Sequence, residues 1–332
     1  MAKNQKQEFW QMIRGICILA VILIHCPTGQ NYPAISWGSW LTMRQLIDFP
    51  VTTFVFMAGY FVNSEKVSSM PFVKYLTNRG GYRLLLPYAV WSIIYLAKDV
   101  VSKGFNVKYI LYCLITGKAA GPFYYIIVLL QLTIITPWLV KSRKNWMYLI
   151  TPVYLVWIYA YNIITGTTPF LCETLFPAWF MFYLLGMDCR EGKWNKIVGK
   201  SNWGWIFAGL VLSIVEAWIL IAIGCADGFA CSQIKVSSFI YVFAIIMVLL
   251  KKKDSYISKF LVQFGDCSYG IFFCHPLVLQ VVRKVLSVLG VDRIWVMYCF
   301  GSFILAAVGS IVVVKVVQKI IPNKKLLNVI GF

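Results

Sequence analysis

Apolar residues fall along the chain in blocks of about 17 to 25, the length of a helix that crosses the hydrocarbon core of a bilayer. Short loops between the blocks contain most of the charged side chains. The pattern predicts an all-α, polytopic membrane protein with about ten transmembrane helices. The predicted spans cover residues 9–28, 46–63, 84–101, 122–140, 145–163, 174–189, 203–224, 234–250, 264–285 and 294–317.

Composition supports the same class. Of the 332 residues, 60% are hydrophobic and 13% are charged. A soluble domain is nearer half apolar and one quarter charged. The apolar blocks continue without a linker or a polar appendage, so residues 1–332 are predicted to form one integral-membrane domain.

The formal net charge of +19 indicates topology and lipid contact rather than nucleic-acid binding. Roughly two thirds of the 31 Lys and Arg residues lie in loops on the side of the two chain termini. Because short cytoplasmic loops are enriched in basic residues, both termini are predicted to lie in the cytoplasm.

The ten cysteines have no zinc-ligand spacing, and with two histidines they predict no metal site. Cys225 and Cys231 flank a short polar loop and could pair if that loop faces an oxidising compartment, a question that the sequence leaves open. Arg14 interrupts the first apolar run and no small-residue cleavage site follows, so this run is predicted to be a retained span.

The first span holds the first candidate chemistry, Arg14 and His25. Eleven residues make three helical turns plus about 20°, so both side chains project from one face, about 16 Å apart along the axis. Arg14 is either a ligand for a phosphate or a thioester oxygen or an anchor that reaches the headgroups. His25 is either a proton acceptor for an alcohol or a structural histidine bonded to a neighbouring helix. Pro27 predicts that the helix ends or kinks just after His25.

Further candidates lie elsewhere in the chain. His275, in the apolar run before Pro276, shares a helical face with Ser268, seven residues earlier. Glu216 is a lone acid in an apolar run, which makes it either a functional residue or a side chain that reaches water. Arg79 and Arg83, before the third span, are either a binding site for a phosphorylated donor or ordinary cytoplasmic loop charges.

Five segments, in this order, carry a resemblance to a known family. They are Arg14-x10-His25, Phe54-Val-Phe-Met-Ala-Gly-Tyr60, Arg83-Leu-Leu-Leu-Pro87-Tyr88, Gly121-Pro-Phe-Tyr-Tyr-Ile126 and Ser268-Tyr269-x5-His275. Together they resemble the acyltransferase-3 family of integral-membrane O-acyltransferases, from about residue 9 to residue 318.

The resemblance implies transfer of an acyl group, usually acetyl, from cytoplasmic acyl-coenzyme A to a hydroxyl of a cell-envelope polysaccharide or lipid-linked sugar. It implies a bacterial plasma membrane, no bound cofactor, His25 as the catalytic histidine and Arg14 as its motif partner. Arg83 and Arg79 would then bind the acyl donor, and Ser268, Tyr269, His275 and Glu216 are further site candidates. His25 would act as a general base or carry the acyl group. A carrier or flippase for a glycolipid or small anion is the alternative from another class.

Overall fold

The structure, a computed structural model, describes residues 2–252 and 257–332, without the side chains of residues 2–4, 6, 78–82 and 103. Every regular element in these ranges is a helix, which confirms the all-α prediction. The α-helices are α1 (Ala2–Ile24), α2 (Ala34–Leu46), α3 (Pro50–Tyr60), α4 (Ser64–Ser68), α5 (Phe72–Tyr75), α6 (Leu86–Lys103), α7 (Val107–Thr116), α8 (Tyr124–Ser142), α9 (Ile150–Thr165), α10 (Phe180–Arg190), α11 (Asn195–Lys200), α12 (Trp203–Ala222), α13 (Asp227–Ala230), α14 (Val236–Lys251), α15 (Lys259–Asp266), α16 (Ser268–Val288), α17 (Trp295–Ile320) and α18 (Lys324–Ile330).

Seven helical segments among the described residues are long and apolar enough to cross a membrane. Each coincides with one of the ten predicted spans. They are Gln7–Ile24, Arg83–Ser102, Gly121–Ser142, Asn145–Thr165, Trp203–Ala222, Ser268–Val288 and Trp295–Ile320. The chain is therefore a multi-pass membrane protein.

The other three predicted spans correspond to shorter helices. In place of a helix over 46–63, α2 ends at Leu46 and α3 begins at Pro50 and contains only 11 residues. Proline disfavours helical geometry at the residue before it and fits the first turn of the next helix, so the apolar run divides at this point.

In place of a helix over 174–189, a 3-10 turn at Phe176–Ala178 contains Pro177, and α10 begins only at Phe180. The span predicted at 234–250 corresponds to α14, and the bounds agree within two residues. With 16 residues, α14 is shorter than the seven helices that are long enough to cross a membrane. The three shorter helices measure about 16 to 24 Å at about 1.5 Å per residue, against about 30 Å for a hydrocarbon core.

The chain forms two compact units, and each is built from three separated segments. The first unit comprises Met1–Phe54, Trp157–Pro169 and Gly192–Lys315. Within it α1 packs closely against α15, and a Cβ added at Gly15 or Gly265 would overlap the backbone of the facing helix. Glycine at both positions thus permits the close approach of α1 and α15.

The second unit comprises Val55–Val156, Phe170–Glu191 and Val316–Phe332. A π-helix over Leu76–Leu85 joins α5 to α6 in this unit. The C-terminal end of the chain is attached to α6, because the indole nitrogen of Trp91 donates to the carbonyl of Ile330 at 2.9 Å. Phe332 adds a ring contact with Trp91, with centroids 5.8 Å apart.

Candidate active site

His25 lies at the C-terminal end of α1. The helix ends at Ile24, and the amides of His25 and Cys26 bond to carbonyls three residues earlier, at 3.1 and 3.0 Å. The helix was predicted to end or kink just past His25, and it ends one residue before His25. Pro27 has no N–H to continue the ladder. Within residues 2–252 and 257–332 no group forms a hydrogen bond with the His25 ring, which is partly exposed.

The structure brings the two histidines of the chain together. The ring centroids of His25 and His275 are 5.7 Å apart, and the ring planes are inclined by 37°. His275 lies in the first half of α16 and is fully buried. Residues 250 positions apart in the chain thus form one imidazole pair.

Hydrogen bonding determines which nitrogen of His275 is available. Its Nδ1 lies 3.0 Å from the carbonyl oxygen of Ile271, one turn earlier in α16. A carbonyl only accepts, so Nδ1 carries the hydrogen and Nε2 carries the lone pair. Among the described residues Nε2 has no hydrogen-bond partner, although it is buried. A buried acceptor with no donor is unusual and marks the ring as ready to accept a hydrogen bond from an incoming group.

Arg283, two turns beyond His275 on α16, holds the end of α1. Its Nη2 donates to the backbone carbonyl of His25. Its Nε is buried and has no partner in the part of the chain that the structure describes. Arg283 was not among the predicted site residues, although it lies within the span Ser268–Val288. A basic residue inside an apolar helix was the signal that could have identified it.

A second arginine that sequence analysis did not select, Arg44 on α2, also acts on His25. The positive charges of Arg44 and Arg283 both contribute to the electrostatic potential at the His25 ring. Two permanent cations near one imidazole favour a group of opposite charge beside it. The surroundings of His25 therefore suit an anionic or developing anionic oxygen.

Two hydrogen bonds fix the loop that follows His25. One comes from the first residue of α17, and the other goes to the segment just before α17. The indole nitrogen of Trp295 donates to the carbonyl of Pro27 at 3.0 Å, and the hydroxyl of Tyr32 donates to the carbonyl of Asp292 at 2.5 Å. Burial and the nearby Asp292 carboxylate raise the pKa of Tyr32 above its usual value, so this donor keeps its proton.

Comparison with family models decides the class of the protein. The model of the acyltransferase domain family called Acyl_transf_3 matches residues 7–315, which is nearly the whole chain and includes both histidines. The chain belongs to the acyltransferase-3 family. No curated protein and no solved structure matches it in the corresponding searches.

Arg14, which the resemblance predicts to be the motif partner of His25, lies at a distance from the imidazole pair of this acyltransferase. Because α1 is continuous between the two residues, they are separated by about 16 Å along its axis. The Nη1 of Arg14 donates to the side chain of Gln11 at 3.2 Å, and the charge of Arg14 acts on the carboxylate of Asp266 at the end of α15. Arg14 thus belongs to the contact between α1 and α15.

The remaining candidates of the acyltransferase make contacts of their own. Ser268 and Tyr269 begin α16, about two turns before His275, and the Tyr269 ring packs edge-on against Phe273 with centroids 5.0 Å apart. Glu216 on α12 accepts the amide of Ser237 at 3.0 Å and also the hydroxyls of Ser237 and Tyr159. Because Ser237 lies in the first turn of α14, Glu216 caps that helix.

Arg83 and Arg79 lie in the π-helix of the second unit of this acyltransferase. Arg83 is exposed, and the side chain of Arg79 lies outside the described residues. Cys225 and Cys231 are both free thiols. Among the described residues no group of three His, Cys, Asp or Glu side chains could hold a metal ion.

Proposed function

We propose that this membrane acyltransferase moves an acyl group, most simply acetyl, from acyl-coenzyme A to a hydroxyl of a cell-envelope polysaccharide or lipid-linked sugar. The observation that carries the proposal is the pair of His25 and His275, in which the Nε2 of His275 is a buried acceptor without a donor. The pair belongs to a chain of an acyltransferase family. A hydroxyl substrate that must lose a proton beside a histidine fits this arrangement.

The proposed chemistry uses His25 as the proton acceptor. His25 takes the proton of the acceptor hydroxyl while the hydroxyl oxygen forms a bond to the thioester carbon. The bond between this carbon and sulfur then breaks, and the leaving thiolate of coenzyme A takes the proton from His25. In the alternative route His25 first attacks the thioester and carries the acyl group to the acceptor. In both routes a protonated or acylated His25 can donate a remaining N–H toward the Nε2 of His275.

The proposed topology has ten crossings. The seven long helices supply seven crossings, and α3, α10 and α14 supply the other three. Because these three helices are short, they require a locally thinned bilayer or burial by neighbouring helices. An even number of crossings places both termini on one side, and the bias of loop charges assigns that side to the cytoplasm of a bacterial cell. Arg79 and Arg83 then lie toward the cytoplasmic side, where their charges would bind the phosphates of the donor.

The experiment that tests the function uses purified protein in detergent with radiolabelled acetyl-coenzyme A. His25→Ala is compared with the native chain, and Thr28→Ala serves as the control because it removes a polar side chain from the same loop. Release of coenzyme A that is lost only in His25→Ala supports the proposal. Label held by the native protein after denaturation would favour an acyl-histidine, and its absence would favour a general base. Full turnover by a folded His25→Ala variant would refute the role of His25.

A further inference from the structure

A buried polar cluster in the first unit lies where α2 ends, beside α12 and the start of α14. Its members are almost completely inaccessible to solvent: Arg44 is 7% exposed and the others are at 0%. We call this group the Arg44 cluster, and it consists of Arg44, Gln45, Asp48, Ser213, Lys235 and Ser238. Ionised side chains at such depth occur where each charge has a partner.

The carboxylate of Asp48 is fully used within the cluster. Its Oδ1 accepts from the Nη1 of Arg44 at 2.6 Å, and its Oδ2 accepts from the hydroxyl of Ser238 at 2.7 Å. One negative charge is thus bound by one cation and one neutral donor.

Lys235 has only neutral hydrogen-bond partners. Its Nζ donates to the Oε1 of Gln45 at 2.6 Å and to the carbonyl of Ala230 at 2.8 Å. The same Gln45 oxygen also accepts the hydroxyl of Ser213 at 2.9 Å. The cluster therefore contains two cationic side chains and one carboxylate, and the carboxylate of Glu216 beside it also acts on Lys235.

Arg44 has unused donors that point to a missing partner. A guanidinium has five N–H groups, but in the described chain only the Nη1 of Arg44 makes a hydrogen bond, and Nη2 and Nε make none. Arg44 is 7% exposed, and its two unbonded nitrogens are not among the fully enclosed side-chain atoms that lack a partner, so an incoming acceptor can reach them. One bound oxyanion would accept from these donors, and the planar guanidinium fork fits a carboxylate or a phosphate.

The Arg44 cluster is connected to His25. Trp40, one turn before Arg44 on α2, packs edge-on against Trp295 with centroids 6.5 Å apart. Trp295 in turn donates to the carbonyl of Pro27, two residues after His25. The charge of Arg44 acts on the His25 ring. An anion bound to the free face of Arg44 would thus lie near the residue that receives the acceptor hydroxyl.

We propose that the Arg44 cluster binds an oxyanion, a carboxylate or a phosphate group, carried by the hydroxyl acceptor, so that the acyltransferase acts on acidic glycans in preference to neutral ones. The identity of the ligand as an acceptor rests on the proposed function, whereas the binding of an oxyanion does not. The phosphates of coenzyme A are a second source of the same chemistry, and a competition experiment distinguishes the two.

Calorimetric titration of the full chain in nanodiscs of phosphatidylcholine tests the proposal. The probes are methyl glucuronide, sn-glycerol 3-phosphate and the neutral methyl glucoside. We expect the two anions to bind and the neutral sugar not to bind, and Arg44→Gln to weaken anion binding at least tenfold. Lys284→Gln, which removes an exposed cation from α16, is the matched control and should change nothing. Equal binding of neutral and acidic probes, or anion binding unchanged in Arg44→Gln, would overturn the proposal.

Two further variants and one competitor make every result decisive. If Arg44→Gln does not fold, Arg44→Lys takes its place, because it keeps the charge opposite Asp48 but loses the guanidinium fork. Arg44→Lys should bind the anions several-fold more weakly. Native affinity in this variant would overturn the proposal. Loss of glucuronide binding on saturation with coenzyme A would assign the cluster to the donor and exclude the acceptor. His25→Ala should keep anion binding and lose acyl transfer, so failure of the site and failure of the proposed function are distinguishable.

Discussion

Removal of the Arg283 side-chain charge should impair catalysis more than it impairs folding. Arg283 donates through Nη2 to the backbone carbonyl of His25, and its Nε is buried without a partner. A hydrogen bond from a charged group contributes about 1.5–3 kcal/mol, and a buried N–H without an acceptor costs about 1–3 kcal/mol. In Arg283→Met these two terms oppose each other, so we expect the free energy of unfolding to change by no more than about 2 kcal/mol.

The catalytic effect has no such compensation, because only the lost bond positions His25. If all of its free energy is lost from the activated complex, kcat falls by roughly 10- to 150-fold at about 1.36 kcal/mol per factor of ten. The KM for acyl-coenzyme A should stay within about twofold, since Arg283 is a positioning residue and not a donor ligand.

The assay is steady-state release of coenzyme A, measured beside thermal unfolding for the native chain, Arg283→Met and Lys284→Met. Lys284 is the adjacent, exposed cation on α16 and controls for a general loss of charge. Arg283→Lys should recover part of kcat because it can still donate to the His25 carbonyl. A kcat within twofold of the native value in folded Arg283→Met would refute the reasoning, and so would an equal loss in Lys284→Met.

Two other changes test the imidazole pair and the helix contact that supports it. His275→Phe removes the Nε2 acceptor and should lower kcat at least about tenfold, whereas His275→Gln keeps an acceptor and should recover part of it; equal loss in both would mean that the ring only packs. Gly265→Leu would drive a side chain into the backbone at Gln11 and should sharply lower the yield and melting temperature of monodisperse protein. Gly199→Ala, where the added Cβ meets open space, should leave both unchanged, and a native melting temperature in Gly265→Leu would contradict the close contact.

Local sequence signals predicted the features that depend on neighbours in the chain. The helix through Arg14 and its end before Pro27 follow from an apolar run and one missing amide hydrogen. The same rule, applied to Pro50, would have divided the span predicted over 46–63, but hydropathy alone does not register a break three residues long.

The site itself depends on contacts that no local pattern encodes. Gln45 and Lys235 are bonded although 190 positions separate them, and Arg283 reaches His25 across 258 positions. The rule that relates loop charges to topology could not identify Arg44 or Arg283 as buried cations, because it weighs position along the chain and not burial. Only the packing of α2, α14 and α16 in three dimensions distinguishes a buried cation from a loop charge.

The contact between Gly15 and Gly265 also sets a delay in biosynthesis. The two glycines are separated by 250 positions. At about 5–20 residues per second, a ribosome needs roughly 12 to 50 s to synthesise the chain between them. During this interval α15 is not yet packed against the glycine face of α1, and His275 is not yet beside His25. Arg14 and His25 are therefore present in the nascent protein before the helices that later surround them. The imidazole pair is therefore completed late in synthesis, after most of the other spans have been made.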